Sequence, residues 1–350
     1  MERWLTNERN VRVCAVMGAL AIAFSSIFVR LSHASPSTAA IFRCAYAVPI
    51  LGLLAWLEDR RFGARPWSER RIAIAAGVFF AADLMLWHHS IGDIGAGLAT
   101  VVANIQVVLV PLVAWAWLSE RPGRQVLAAL PLACLGVVLI SGVLEHGAYG
   151  HNATRGAIYG VAAGVAYVGF LLLLRRGGAD MRRPAGPLFD ATATATVLCI
   201  VVGVIIGDAD LAPDWPGAGW LITLALTSQV LGWLLITISL PRLPAAMTSL
   251  LLTVQPVGSV ALAALILSES PSPLQLAGVA LVLCGLLVAT APRRLAGLPS
   301  ADGNLGRVPE IVVQSRQLGP QKAHERRVAE PLLKDAQRAP EVLEPTRREQ

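Results

Sequence analysis

The sequence predicts an all-α polytopic membrane protein in which ten transmembrane helices form two inverted five-helix repeats. Hydrophobic residues make up 55% of the 350 residues and charged residues only 15%, against about 25% charged residues in an average soluble domain. The apolar residues fall into runs of about 20, the length that an α-helix needs to cross a bilayer core. The chain also matches itself when it is shifted by 149 residues, from Glu120 to Glu269.

Little charge remains outside the C-terminal segment. Residues 293–350 contain 11 of the 29 Lys and Arg and 8 of the 23 Asp and Glu. The rest of the chain has too few charged side chains to cover a soluble surface, and its arginines lie between apolar runs. This composition excludes a soluble enzyme, a disordered protein and a nucleic-acid binder.

The apolar runs define ten predicted spans with short connections between them. Residues 1–11 precede them as a cytoplasmic N-terminus. The first five-helix repeat covers residues 12–144 and the second covers residues 156–291, while residues 292–350 are predicted to form a disordered cytoplasmic tail. The predicted spans are residues 12–30, 36–57, 71–91, 96–118, 125–144, 156–174, 187–206, 219–240, 245–267 and 273–291.

The distribution of arginine predicts the orientation, because basic residues are enriched in cytoplasmic segments. With the N-terminus inside, fifteen arginines fall in inner segments, whereas Arg30 and Arg155 fall in outer ones. Both termini are therefore predicted to be cytoplasmic in a multi-pass protein of the cell membrane, and the opposite side is called the outer side below. The inner arginines are Arg3, Arg9, Arg12, Arg60, Arg61, Arg65, Arg70, Arg71, Arg121, Arg124, Arg175, Arg176, Arg182, Arg183 and Arg242.

The internal repeat places Leu118-Ser119-Glu120 on Leu267-Ser268-Glu269. Because each unit has five helices, an odd number, the second copy must be inverted in the membrane. The charges agree, since Asp93 falls in an outer connection and its repeat partner Arg242 in an inner one. Inverted repeats are typical of alternating-access transporters with a site near the middle of the membrane. The two glutamates are expected to structure the hairpins that follow them.

These features resemble the drug/metabolite transporter superfamily, in particular its EamA-type transporters with two five-helix repeats. The resemblance covers residues 12–291, and the sequence departs from it at Val260, where no proline matches Pro111. It implies a secondary transporter of small organic solutes, often an exporter. The residues that carry it are Phe24-Ser25-Ser26-Ile27-Phe28-Val29, Arg43, Pro111, Leu118-Ser119-Glu120-Arg121, Gly136, Leu267-Ser268-Glu269, Gly278 and Gly285.

No catalytic signature accompanies these features. HExxH, GxSxG and P-loop motifs are absent from the sequence, so no hydrolase activity, no ATP-driven transport and no cofactor is expected. The expected partners are a small-molecule solute and the lipid bilayer. The alternative functions are a non-transporting membrane receptor or scaffold, or a multi-pass membrane enzyme.

Ionisable side chains inside a membrane span are costly, so those present need partners or a water-lined cavity. Arg43 lies on the second span, and Asp83 and His88 lie on the third. They predict either a site that binds a charged group of the substrate or a proton, or an Arg43–Asp83 ion pair that braces the two helices. A metal site that adds His89 is not expected, because adjacent histidines point in different directions on a helix.

Two glutamines are predicted to lie near the middle of the membrane. Gln106 and Gln255 are repeat partners, and each lies about ten residues into its span. Asn104 and Thr253 are also repeat partners. These four side chains are predicted to line one central solute site and to contribute neutral hydrogen bonds. The alternative is that each glutamine bonds a neighbouring helix.

Overall fold

The computed structural model describes residues 8–109, 112–113, 123–178, 180, 182–239 and 254–290. All regular secondary structure in these ranges is helical, which confirms the predicted all-α class. The predicted tail lies outside the described residues. The helices are α1 Arg9–Leu31, α2 Pro36–Phe62, α3 Trp67–Ile94, α4 Ala96–Leu109, α5 Arg124–Ile140, α6 Ala153–Gly177, α7 Ala185–Ile206, α8 Gly217–Ser239, α9 Val254–Ile266 and α10 Pro273–Ala289.

Each predicted span overlaps one of these helices. Six of them, α1 to α3 and α6 to α8, are long and apolar enough to cross a bilayer. The other four are shorter apolar helices, and two of these, α4 and α9, border residues 110–111 and 240–253, which lie outside the described residues. The structure therefore supports a multi-pass membrane protein, while the count of ten spans stays a prediction.

Several helices differ in length from their predicted spans, and in α3 and α5 a proline or a glycine explains the difference. Instead of residues 71–91, α3 begins directly after Pro66 and ends at Gly95, whose φ is 86°. Proline suits a helix start and glycine a helix end, because glycine adopts positive φ without a steric cost. Helix α5 ends at Ile140 rather than at residue 144, since Gly142 has φ 70° and turns the chain out of the helix.

Helix α1 is interrupted at Phe24, and neighbouring helices bond the backbone at this break. The hydroxyl of Ser228 on α8 donates to the carbonyl of Ala21 at 2.8 Å. The hydroxyl of Ser259 on α9 donates to the carbonyl of Ala23 at 2.9 Å. Interrupted helices are tolerated at membrane depth when such side chains satisfy the backbone groups. The break therefore ties α1 to α8 and α9.

Helices of the first predicted repeat pack against helices of the second. The contacts pair α3 with α6, α1 with α8, α2 with α7, α4 with α9 and α5 with α10, and α3 also packs extensively against α7. At the α5–α10 crossing the backbones touch, since a Cβ on Gly136 would lie 2.7 Å from the Gly278 carbonyl oxygen and the reverse distance is also 2.7 Å. Small residues permit such close crossings in membranes.

Buried ions hold the inner ends of α2, α3 and α7 together. Asp190 of α7 accepts a hydrogen bond from Arg65 at 2.5 Å, and Arg70 lies 3.4 Å away. The carboxylate of Glu58 accepts the backbone N–H groups of Ala185 and Gly186 at the start of α7, at 2.9 and 2.8 Å. Carboxylates stabilise helix N-termini because unpaired N–H groups and the helix dipole favour negative charge there.

The apolar interior is divided into two large clusters. Leu51 of α2 and Leu188 of α7 belong to one cluster, and Leu98 of α4 and Val282 of α10 belong to the other. Helix α3 contributes to both clusters. A set of polar side chains on α2, α3, α4, α6 and α9 lies in this interior and lines the cavity described next.

Candidate functional site

A cavity of about 50 Å³ lies among seven of the helices. Helices α1 to α4 of the first predicted repeat and α6, α8 and α9 of the second all contribute to its wall. Its lining residues are Ile22, Arg43, Phe80, Asp83, Leu84, Trp87, Thr100, Ala103, Asn104, Gln106, Tyr167, Trp233 and Gln255.

The cavity brings together most of the residues singled out in the sequence. Five of the seven candidates line it: Arg43, Asp83, Asn104, Gln106 and Gln255. The remaining two candidates do not appear in its wall. His88 is buried elsewhere, and Thr253 lies outside the described residues. The two glutamines therefore meet at one cavity, from α4 and from α9.

Helix α4 presents three polar side chains to the cavity. Thr100, Asn104 and Gln106 line it, and Thr100 and Asn104 lie one turn apart on the same face. The Thr100 hydroxyl donates to the Ala96 carbonyl at 2.8 Å, and the Asn104 amide donates to the Thr100 carbonyl at 2.7 Å. Bonds to the backbone of the same helix let these side chains sit in an apolar setting at low cost.

Arg43 on α2 is 3% exposed and is held by partners on three other helices. Its Nε donates to the Gln229 side-chain oxygen on α8 at 2.9 Å, and one terminal nitrogen donates to the Ser25 hydroxyl on α1 at 2.8 Å. The guanidinium also lies 5.6 Å from the ring centre of Trp87 on α3. Gln229 in turn donates to the Thr192 hydroxyl on α7 at 3.1 Å. This chain of bonds joins α1, α2, α7 and α8.

Asp83 on α3 is 7% exposed and faces the same cavity. Within the described residues, however, no ion pair joins it to Arg43. In the described conformation Gln229 and Ser25 bond the Arg43 guanidinium in place of the ion pair considered from the sequence. Depth along two helices does not determine how each helix is rotated about its axis, and here the rotation of α2 turns the guanidinium toward α1 and α8.

His88 lies away from the cavity wall and is 1% exposed. Its Nδ1 lies 2.5 Å from the Leu84 carbonyl oxygen, so Nδ1 carries the proton. The ring packs edge-on against Trp87 at 5.1 Å between centres. His88 therefore contacts the site only indirectly, through Trp87, whose ring contacts both His88 and the Arg43 guanidinium.

Aromatic rings form one wall of the cavity. Phe80 of α3 stacks on Phe170 of α6 at 4.3 Å between ring centres. Trp233 of α8 lies 5.1 Å from Phe170 and 6.0 Å from Tyr167. Rings packed in this way offer a large, rigid apolar surface with edges and faces of different charge. This wall suits the apolar or aromatic part of a solute.

Two polar atoms at the cavity are buried without a hydrogen-bond partner among the described residues: the side-chain oxygen of Gln106 and the indole nitrogen of Trp233. Leaving a buried polar group unpaired costs about 1–3 kcal/mol. One of these atoms accepts a hydrogen bond and the other donates one. A solute that carries both a donor and an acceptor would satisfy them.

The arrangement is suited to binding rather than to bond cleavage. It combines neutral amides, one carboxylate, one guanidinium already engaged with Gln229 and Ser25, and an aromatic wall. These are the ingredients of a small-molecule pocket, in which a few polar groups orient a ligand against apolar walls.

Sequence reasoning missed Gln229 and the aromatic wall. Gln229 is fully buried within a π-helical segment, Ala225–Gly232, which widens α8 at the level of Arg43. Such segments are often found at functional sites. A polar amide within an otherwise apolar span was the available signal for Gln229. No sequence pattern indicated that Tyr167 and Trp233 meet at the same cavity.

Comparisons with known proteins agree with this architecture. The model of the EamA-like transporter family matches residues 11–142 and 154–291. A protein of Bacillus subtilis (strain 168), described as the uncharacterized transporter YwfM, is 23% identical over 267 residues, which is 75% of this chain and 86% of that protein. A solved crystal structure with 16% sequence identity superposes with a TM-score of 0.55 over 83% of this chain and all of the other. At that identity the structural match concerns the fold alone.

Proposed function

The chain belongs to the EamA-like transporter family and is a multi-pass membrane transporter, and from this premise we propose that it is a secondary carrier of small organic solutes across the cell membrane. The proposed mechanism is alternating access, with export as the direction that the family resemblance favours. Members of this family are transporters rather than enzymes. The proposed energy source is an ion gradient or the gradient of the solute itself, since the sequence has no P-loop.

The observation that carries the proposal is the cavity shared by the two predicted repeats. Gln106 and Gln255, which the internal repeat relates to each other, both line it. The proposed solute site consists of these glutamines with Asn104 and, by the repeat, Thr253. Arg43 and Asp83 are proposed to meet a charged group of the solute or a coupled proton. Carriers built from inverted repeats bind their solute between the repeats in this way.

The size of the cavity supports a carrier that changes shape. An engineered cavity of about 150 Å³ binds benzene, whereas this one measures about 50 Å³. We therefore expect the surrounding helices to move apart when an organic solute binds. Alternating access supplies that movement, because the site opens to one side at a time.

The pairing of helices supports two inverted repeats over residues 12–144 and 156–291. A two-fold axis in the plane of the membrane would relate α2 to α7, α4 to α9 and α5 to α10. Where two helices related in this way touch each other, their contact lies on the axis, and each of these three pairs is in contact. The same rotation would relate α1 to α6 and α3 to α8, and it would therefore carry the α3–α6 contact onto the α1–α8 contact.

Solute flux tests the function directly. A panel of metabolites and drugs is first screened for compounds that raise the melting temperature of the purified protein, since a ligand of the native state stabilises it. A stabilising compound is then followed across liposomes that contain the protein, in both directions. We expect flux above that of protein-free liposomes. Tight binding without flux would favour a receptor and overturn the carrier.

The inverted topology makes a separate prediction. Asp210→Cys and Arg242→Cys are each introduced into a chain without its own cysteines and labelled in intact cells with a membrane-impermeant maleimide. We expect Asp210→Cys to react from outside, and Arg242→Cys to react only after the cells are permeabilised, because basic connections face the cytoplasm. Labelling of Arg242→Cys from outside would contradict both the orientation and the inversion of the second repeat.

A further inference from the structure

The connection between α9 and α10 is bonded to the first turn of α4. Glu269 is 6% exposed, and its carboxylate accepts the backbone N–H of Ala96 at 2.7 Å and that of Gly97 at 3.1 Å. The first N–H groups of a helix have no partner within the helix, and the helix dipole favours negative charge there. The bonds cross from the second predicted repeat to the first.

The outer ends of α4 and α9 touch directly beside this carboxylate. A Cβ on Gly97 would lie 3.2 Å from the backbone of Val260 and 3.3 Å from the side chain of Ala263. A Cβ on Gly95 would lie 2.7 Å from the Glu269 carboxylate. No side chain lies between the two helices at this contact, and the Glu269 carboxylate lies directly beside it.

This contact lies between the outer surface and the cavity. Thr100 and Gln106 follow Ala96 by four and ten residues on α4, or about 6 and 15 Å along a helix. On α9, Val260 and Ala263 lie between Glu269 and the cavity residue Gln255. The helices that Glu269 joins are therefore the two that carry the proposed solute-binding glutamines.

Other polar contacts on the outer side join different helices. Arg155 of α6 pairs with Asp93 of α3 through two bonds of 2.7 and 2.6 Å. Gln275 of α10 bonds the backbone N–H and carbonyl of Tyr149, at 2.9 and 3.1 Å. Partial burial and the nearby Glu269 carboxylate raise the pKa of Tyr149 above its usual value, and Arg30 opposes this shift. These contacts brace the neighbouring helices, whereas the Glu269 bonds lie across the α4–α9 contact.

We propose that Glu269 is a latch that holds the outer ends of α4 and α9 together and must release before the cavity opens to the outside. The latch rests on the proposed alternating-access function. Glu269 is a positioning residue, because it acts by holding two helices and lies outside the cavity wall. The described conformation is the latched one, since both Glu269 bonds are present in it.

Accessibility of the cavity tests the latch without knowledge of the solute. Ala103→Cys, in the cavity wall, serves as the reporter in a chain whose five native cysteines are replaced. A membrane-impermeant maleimide is added to the outside of intact cells. Glu269→Ala is expected to raise the labelling rate about tenfold, since removal of both bonds shifts the population toward the open form. Glu269→Gln, which keeps one acceptor oxygen, is expected to give a smaller increase.

The matched control is Asp214→Asn, which removes an exposed carboxylate from the outer connection between α7 and α8 and should leave the labelling rate unchanged. A second variant breaks the same bond from the opposite partner. Ala96→Pro suits the first helical position but lacks the N–H that Glu269 accepts. It should open the cavity as Glu269→Ala does, and the double variant should add little to either change.

The outcomes separate the latch from the carrier. If Glu269→Ala and Ala96→Pro keep the parent's melting temperature and label at the parent's rate, the latch is wrong. If the parent shows no flux but the variants label faster, the carrier proposal fails while the contact still controls access. Should Glu269→Ala fail to fold, Glu269→Gln and Ala96→Pro decide by the same comparison.

Discussion

Replacing Arg43 by alanine is expected to abolish solute flux and to lower the free energy of unfolding, since each buried polar group left without its partner costs about 1–3 kcal/mol. The guanidinium loses its bonds to Gln229 and Ser25 and its contact with Trp87. Gln229 then has a buried oxygen without its donor, and Asp83 remains in the cavity without a cation nearby. Liposome flux measures the first effect, and urea titration of the purified protein measures the second.

The control for Arg43 is Arg175→Ala, which removes an exposed arginine at the inner end of α6 and should change neither quantity much. Double variants identify the partner. Because Arg43 and Gln229 are in direct contact, Arg43→Ala combined with Gln229→Leu should cost clearly less than the sum of the two single changes. Coupling of Arg43 to Asp83 should be weaker, since no ion pair joins them. Normal stability of Arg43→Ala would contradict the structural role described for this side chain.

Gln106→Leu and Gln255→Leu are each expected to reduce solute flux at least tenfold while the melting temperature stays close to that of the parent. Leucine resembles glutamine in size but provides no hydrogen bond to the solute. A binding site that loses one hydrogen-bonding group binds its solute much more weakly, because the matching polar group of the solute is then buried without a partner. The Gln106 oxygen has no protein partner among the described residues, so its removal breaks no hydrogen bond to that oxygen.

The matched control for the glutamines is Gln125→Leu, on α5 outside the cavity wall, which should transport as the parent does. Both site variants are measured for flux and for thermal stabilisation by the transported compound. Loss of flux and of thermal stabilisation, with a normal melting temperature of the free protein, would assign the glutamines to the solute site. If either variant transports normally, or fails only because it unfolds, that glutamine does not line the site.

Most of the architecture followed from local properties of the chain. A run of about 20 apolar residues can cross a bilayer only as a helix, because lipid offers no partners for backbone N–H and C=O groups. Each predicted span therefore coincides with a helix, even where Pro66 or Gly142 moved an end by several residues. The repeat added long-range information, since it linked Gln106 to Gln255 before any packing was known.

The sequence by itself thus determined the helical membrane class and the internal repeat, and it predicted the depth of Arg43, Asp83 and the two glutamines. Only the tertiary structure decided which of these side chains face one another. That choice depends on the rotation and crossing of helices, which arise from contacts between residues far apart in the chain. Gln229 came to hold Arg43, and Glu269 came to bond the first turn of α4, because packing brought distant helices together. The apolar periodicity of a helix does not indicate such contacts, because a buried helix surrounded by other helices is apolar on most of its faces.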